Sequence, residues 1–174
     1  VNNHVTYPSK FQLIAAMNPC KCGYFGEAKA CSKVPMCAEN YQGRISGPLL
    51  DRFDIRVDVP SIKLDGLQDN SGESTQTVRE RVIRAREIQA TRYKGTKIKL
   101  NAHADGDNLV SFEELCSESQ EILKKSMEKF NLSMRAFNRI LRVARTIADL
   151  ECSNTVKKHH IIEALSFRNV KLKA

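Results

Sequence analysis

The stretch that most limits what this chain can fold into is Leu132 to Leu150, LSMRAFNRILRVARTIADL. Ser133 has the chemistry of an N-cap, and Leu132 before it is placed to staple onto Phe137. Phe137, Ile140, Leu141, Ala144, Ile147 and Ala148 recur at helical spacing, which sets them on one face of a 3.6-period helix. Arg135, Arg139 and Arg142 fall on the opposite face. A plain solvated surface is one reading of those arginines, and a set of guanidinium forks offered to phosphate oxygens is the other.

Around that helix the chain changes character near residue 61. Phe11 to Met17, FQLIAAM, is an apolar run of strand length entering the turn-like Asn18-Pro19, and reads as a buried strand that presents Asn18 at its end. Phe53, Ile55, Val57 and Val59 alternate with Asp54, Arg56 and Asp58, the pattern of a half-buried strand. Ser61 to Gln76 is rich in Gly, Ser and Asp and reads as a linker. Beyond it, helical periodicity predicts helices over Thr77–Arg92, Glu118–Phe130, Leu132–Leu150 and His159–Phe167, with Ser111 and Glu114 spaced as a capping box opening SFEELC. Two strands cannot cover both faces of a sheet, whereas four helices form a bundle. The expectation is a chain that begins inside a larger α/β domain and continues into a helical one.

The formal net charge of +8 favours an anionic partner, nucleic acid or nucleotide ahead of lipid. Its distribution sharpens this: Arg79, Arg81, Arg84, Arg86, Arg92, Lys94, Lys97 and Lys99 lie close together against only Glu80 and Glu87. Tyr93 is the sole aromatic in that stretch, so base stacking is poorly served. No run reaches the roughly 18 apolar residues of a membrane span, and no signal peptide is evident, which predicts a cytoplasmic protein.

Four of the six cysteines, Cys20, Cys22, Cys31 and Cys37, form C-x-C-x8-C-x5-C in a segment with no periodicity of its own. Four thiolates closing such a loop around a structural zinc fit this pattern ahead of unliganded thiols, with disulfides last. Cys116 and Cys152 read as reduced core or near-core residues. His4 and His103 sit in loops, and His159 and His160 read as diverging around a helix, ill placed to share one ion. No Ser/His/Asp or paired-carboxylate arrangement is present, so the residues supply no complete hydrolytic site. By local chemistry alone, Asn18 is a turn residue or an orienting amide, and Arg52 an ion-pair partner of Asp51 or Asp54 or a phosphate-directed arginine.

FQLIAAMNPCKCGYFG, YQGRISGPLLDRFDIRVDVP and NLSMRAFNRILRVARTIADL together resemble the C-terminal part of the Mg-chelatase-like AAA+ ATPases of the YifB/ComM type. The resemblance implies an α/β AAA+ core fragment with its cysteine-rich loop in residues 1–60, a linker in 61–76 and an all-α four-helix lid in 77–174. It implies that Asn18 is sensor 1, that Arg52 is an arginine finger acting on the neighbouring subunit's nucleotide, and that Arg135 is the lid's sensor 2. Walker A and Walker B belong upstream in that family and are absent here, so the chain alone is expected not to hydrolyse ATP. The family's second C-x-C is altered: Lys33 stands where the last cysteine would be, and Cys37 follows four residues later. ATP with Mg, zinc, DNA and a ring, expected to be a hexamer, are the implied ligands and partners, in a branch-migration helicase-like motor of competence or recombination. A metal-chelatase-type ATPase subunit and a non-enzymatic zinc-containing nucleic-acid-binding module are the alternatives.

Overall fold

A computed structural model describes residues 5–7, 9, 11–25, 32–59 and 72–168. The linker residues 61–71 and Cys31 therefore lie outside the described residues. Within them are six α-helices: α1 (Met36–Gln42), α2 (Gly47–Leu50), α3 (Thr75–Arg92), α4 (Ser117–Lys129), α5 (Met134–Leu150) and α6 (Lys158–Ser166). Two short 3-10 turns, Asn101–His103 and Gly106–Asn108, lie between α3 and α4. The chain divides into two compact units, one of residues 1–45 with 171–174 and one of residues 46–170.

In the second unit α5 is the central element, packing against α6, α3 and the Asn101 turn, while α4 packs on α6. Ser133 caps α5 by accepting the Ala136 N–H at 3.2 Å, as its position predicts. The apolar stripe is buried as its spacing requires: Ile140, Leu141, Ala144 and Ala148 join Leu115, Leu123, Val156, Ile161 and Leu165 in one core. Leu123, Ile140, Leu141 and Ile161 are fully enclosed, each worth roughly 1.5–3 kcal/mol of burial. Both α4 and α5 end in a left-handed residue, Asn131 at φ 46° and Cys152 at φ 55°. The N–H groups of Leu132 and Ser153 then reach back to the carbonyls of Met127 at 3.0 Å and Ala148 at 2.8 Å, closing both ends in Schellman fashion.

The α/β core expected in residues 1–60 is not there: among the described residues there is no β-strand, and only the all-α lid stands. Phe11 to Met17 is irregular and exposed, with Ile14 at 85%. Phe53 to Val59 is likewise no strand, and Val59 is 87% exposed. A strand exists only through ladder hydrogen bonds to a neighbour, and the described chain offers these runs none. The Arg56 N–H instead donates to the Phe167 carbonyl at the end of α6, at 3.1 Å.

The Ser111–Glu114 capping box also misleads. Its reciprocal bonds form, Glu114 N–H to Ser111 Oγ and Ser111 N–H to Glu114 Oε2, each at 3.3 Å. They close a turn, and the helix starts only at Ser117.

Candidate functional site

Arg52 emerges from the end of α2. Ser46 caps that helix by accepting the Leu49 N–H at 3.3 Å, Pro48 fills its first turn, and Asp51 closes it. The Arg52 side chain is exposed and donates from Nη1 to the Pro48 carbonyl at 3.0 Å, a bond to its own turn. Neither Asp51 nor Asp54 is its ion-pair partner: they belong to Arg168 and Arg139.

The three arginines on the polar face of α5 divide the same way. Arg139 donates to the Arg52 carbonyl and to Asp54 Oδ1, the latter at 2.6 Å. Arg142 donates to the Ala104 carbonyl at 2.8 Å and pairs with Asp105. Arg135, on the first turn of α5, is exposed and has no ion pair or side-chain hydrogen bond among the described residues. Internal structure therefore consumes two of the three guanidinium groups and leaves one to solvent.

A fourth arginine and a carboxylate that sequence reasoning passed over hold α3 to α5. Asp149 is fully buried and receives Arg92 through both oxygens, at 2.8 and 2.5 Å. Asn101 Nδ2 donates to Asp149 Oδ2 at 2.8 Å, and Arg145 Nε to Asp149 Oδ1 at 3.1 Å. Asn101 Oδ1 accepts from Arg92 at 3.0 Å and from the Tyr93 hydroxyl at 2.8 Å. Burial pushes the Asp149 carboxyl up, but the bonds from Arg92 and Asn101 and the charges of Arg145 and Arg92 outweigh it and hold it below the ordinary carboxylate range. The same burial lowers the Arg145 guanidinium. Arg92 thus leaves the basic stretch for a structural role, and Arg81 pairs with Glu73 at 2.5 Å. Arg79, Arg84, Arg86, Lys94, Lys97 and Lys99 remain exposed, without ion pairs among the described residues.

In the first unit, Asn18 is exposed and shares a shallow recess with Ala16, Met17 and Tyr41. Its neighbour Pro19 is anchored to α1 through Gln42, whose Nε2 donates to the Pro19 carbonyl at 2.7 Å. That anchor serves a cysteine cluster. The Gly23 N–H returns to the Cys20 carbonyl at 3.1 Å, with Gly23 at φ 83°, so a tight turn folds Cys22 back to Cys20 and brings their sulfurs to 3.0 Å. Cys37, on the first turn of α1, completes a trio whose Sγ atoms all lie within 4.8 Å of one another. Cys20 is fully buried. Three soft sulfurs converging from two segments form a metal-capable site, and the later cysteine, Cys37, does take part.

Two residue expectations are corrected. Cys116 and Cys152 are exposed rather than in or near the core, Cys116 capping α4 and Cys152 turning the end of α5. Hydrogen bonds from Ser119 lower the Cys116 thiol. His159 and His160 do not diverge: their ring centres are 4.0 Å apart, and their Nε2 atoms reach the same Glu151 Oε2 at 2.8 and 2.9 Å. His160 Nδ1 also accepts the Lys157 N–H at 2.9 Å, so Nε2 carries its proton. A metal at that nitrogen would cost the cap of α6, which makes the trio a clasp between α5 and α6. Hydrogen bonds from His159 and His160 hold the Glu151 carboxyl below its ordinary range.

The family model for the C-terminal region of magnesium chelatase subunit ChlI matches residues 72–168, which takes in α3 to α6. A second, for magnesium chelatase subunit ChlI, matches residues 1–67. The chain belongs to the magnesium chelatase ChlI family. Within it, this ChlI-type chain is homologous to the YifB/ComM AAA+ ATPases, as its motifs imply. It is 40% identical over 169 residues to YifB of Salmonella typhimurium, covering 95% of this chain and 32% of that protein. Over 170 residues it is 40% identical to YifB of Escherichia coli, with the same coverage. Competence protein ComM of Haemophilus influenzae is 38% identical over 170 residues, covering 96% of this chain and 32% of ComM. The chain thus spans about a third of the length of these relatives. Among the described residues, no helix is long and apolar enough to cross a membrane.

Proposed function

We propose that this chain supplies phosphate-directed arginines to an ATP-hydrolysing ring motor that acts on DNA. The observation that carries the reading is the division of labour among the arginines. Arg56, Arg92, Arg139, Arg142, Arg145 and Arg168 are held by carboxylates or carbonyls of the fold. Arg52 and Arg135, the two that the family motifs mark, are exposed and have no ion pair among the described residues, Arg52 spending a single N–H on the Pro48 carbonyl of its own turn. In this reading Arg135 is sensor 2 and meets the γ-phosphate of its own subunit's ATP, while Arg52 is the finger that reaches the neighbour's. Asn18 is sensor 1 in this reading, an amide that orients a γ-phosphate or its attacking water. The ATP arrives with Mg, and the ring is a hexamer working in the cytoplasm.

Arg52 does its work by charge. As the γ-phosphoryl group leaves, negative charge spreads over its oxygens, and a guanidinium delivered across the interface stabilises that state more than the ground state. Arg52→Ala in the full-length protein should leave nucleotide affinity near wild type and lower ATP turnover by about a thousandfold or more. Wild-type turnover would refute the assignment.

Zinc is the metal the cysteine cluster suits, held by Cys20, Cys22 and Cys37 with Cys31, outside the described residues, as the fourth thiolate of the sequence pattern. Thiolate sites of this kind staple loops that lack a core and leave catalysis to other residues. DNA is the partner that the unpaired cations of α3 and the following loop favour, Arg79, Arg84, Arg86, Lys94, Lys97 and Lys99. The match to magnesium chelatase models over both parts of the chain favours a second reading, an ATPase subunit for metal insertion. Stimulation of ATP turnover by DNA separates the two.

A further inference from the structure

The segment that carries Arg52 is irregular, yet it is fastened through main-chain groups of Arg52, Phe53 and Arg56 and through the carboxylates of Asp51 and Asp54. Arg168 donates to Asp51 Oδ1 and, at 3.2 Å, to the Phe53 carbonyl. Arg139 donates to the Arg52 carbonyl and to Asp54. Arg56 gives its N–H to the Phe167 carbonyl and its guanidinium to the Arg168 carbonyl. Ser133, the cap of α5, stands 3.5 Å from Asp51 Oδ2. Among the described residues, every position from Asp51 to Arg56 except Ile55 makes such a tie.

The fastening groups are withdrawn from water. The Arg168 side chain is 4% exposed and that of Arg139 18%, and the buried Nε atoms of Arg56, Arg139 and Arg168 have no hydrogen-bond partner among the described residues. Burying guanidinium groups costs about as much as their pairing returns, so such a set is a weak source of stability. What it does achieve is geometric: the backbone of Arg52 is fixed to α5 and to the end of α6, while the Arg52 side chain stays outside. Arg139 lies four residues after Arg135, on the same face of α5 and one turn along it.

We propose that Arg139 and Arg168 are positioning residues that lock the Arg52 segment to α5 and α6, so that α5, when Arg135 engages a phosphate, carries Arg52 with it. One subunit's own nucleotide would in this way set the finger presented to its neighbour. The proposal rests on the reading of Arg52 and Arg135 given above. It adds a direct mechanical link between them through Arg139.

The test is a double-mutant cycle on ATP turnover in the full-length protein. Displacing a catalytic group by an ångström costs about a hundredfold, so Arg139→Ala should lower kcat by about ten- to a hundredfold, with KM little changed. In the Arg52→Ala background the same change should cost nothing further, because the residue it positions is gone. A merely structural Arg139 would lower kcat by the same factor in both backgrounds, and that result overturns the proposal, as does wild-type kcat for Arg139→Ala. If Arg52→Ala itself keeps wild-type turnover, it is the finger assignment that fails. Should Arg139→Ala not fold, Arg139→Gln and Asp54→Asn, which weaken the same link, take its place in the cycle with the same outcomes.

Discussion

Asp149 has no exposed surface and four donating groups around it, and its neighbours are charged groups that burial would otherwise penalise. Removing one charge from a buried set strands the rest, so Asp149→Asn should cost about 3 kcal/mol or more, read by thermal or chemical denaturation. A wild-type melting temperature would show that the network does not hold α3 to α5. Its pH dependence follows from the direction of the shift. The carboxyl lies lower in the folded state than in the unfolded chain, so its contribution is complete above the unfolded value near pH 4 and fades as acid approaches the folded one. The wild type should therefore lose this part of its stability only below about pH 4, and Asp149→Asn should remove that part of the acid dependence. None of this was legible in the sequence, because Arg92 and Asn101 sit 57 and 48 residues from Asp149, and Arg92 reads as one more member of a basic run. The roles of Arg139 and Arg142 were hidden for the same reason, with partners 85 and 37 residues away.

At the scale of elements, whatever depends on near neighbours was readable and whatever depends on distant ones was not. The period and cap of α5 follow from its own residues, and the helix runs Met134–Leu150 as they predict. Ser133→Ala should cost about 1 kcal/mol, a drop of a few degrees in melting temperature, with helix content retained. No change in melting temperature would mean that the Ala136 N–H finds another acceptor. Asn131 closes α4 in a left-handed conformation, a local preference of its short polar side chain. Strands fail this criterion. Alternation at Phe53, Ile55, Val57 and Val59 states which face would be buried if a sheet were present, and a sheet is a long-range object. The bonds that the run makes instead, to Phe167, Arg168 and Arg139, are made to residues the pattern does not mention. The Ser111–Glu114 box is the intermediate case: the local bonds were foreseen, and the helix they usually open was not formed.

Across the whole molecule, the two units carry different chemistry, sulfur in one and guanidinium in the other. If the cysteine cluster holds zinc, elemental analysis of purified protein should find about one zinc per chain, and Cys37→Ser should lose most of it, since a structural site needs its four ligands. Zinc retained in full by Cys37→Ser would remove Cys37 from the site. Of the four cysteines that the sequence pattern names, Cys20, Cys22 and Cys37 come together and Cys31 lies outside the described residues; how the three meet, through the Gly23 turn and the anchor of Gln42 on Pro19, the pattern does not show. The larger claim, that Arg52 serves a neighbour's ATP and Arg135 its own, is tested most directly by mixing two inactive full-length variants. Arg52→Ala subunits keep the sensor, and Arg135→Ala subunits keep a finger whose segment Arg139 and Arg168 still hold although its own nucleotide no longer moves it, so in mixed rings roughly a quarter of the interfaces pair a sensor with a finger. The account predicts that mixing restores ATP turnover well above that of either variant alone; a mixture no more active than its two components would contradict it.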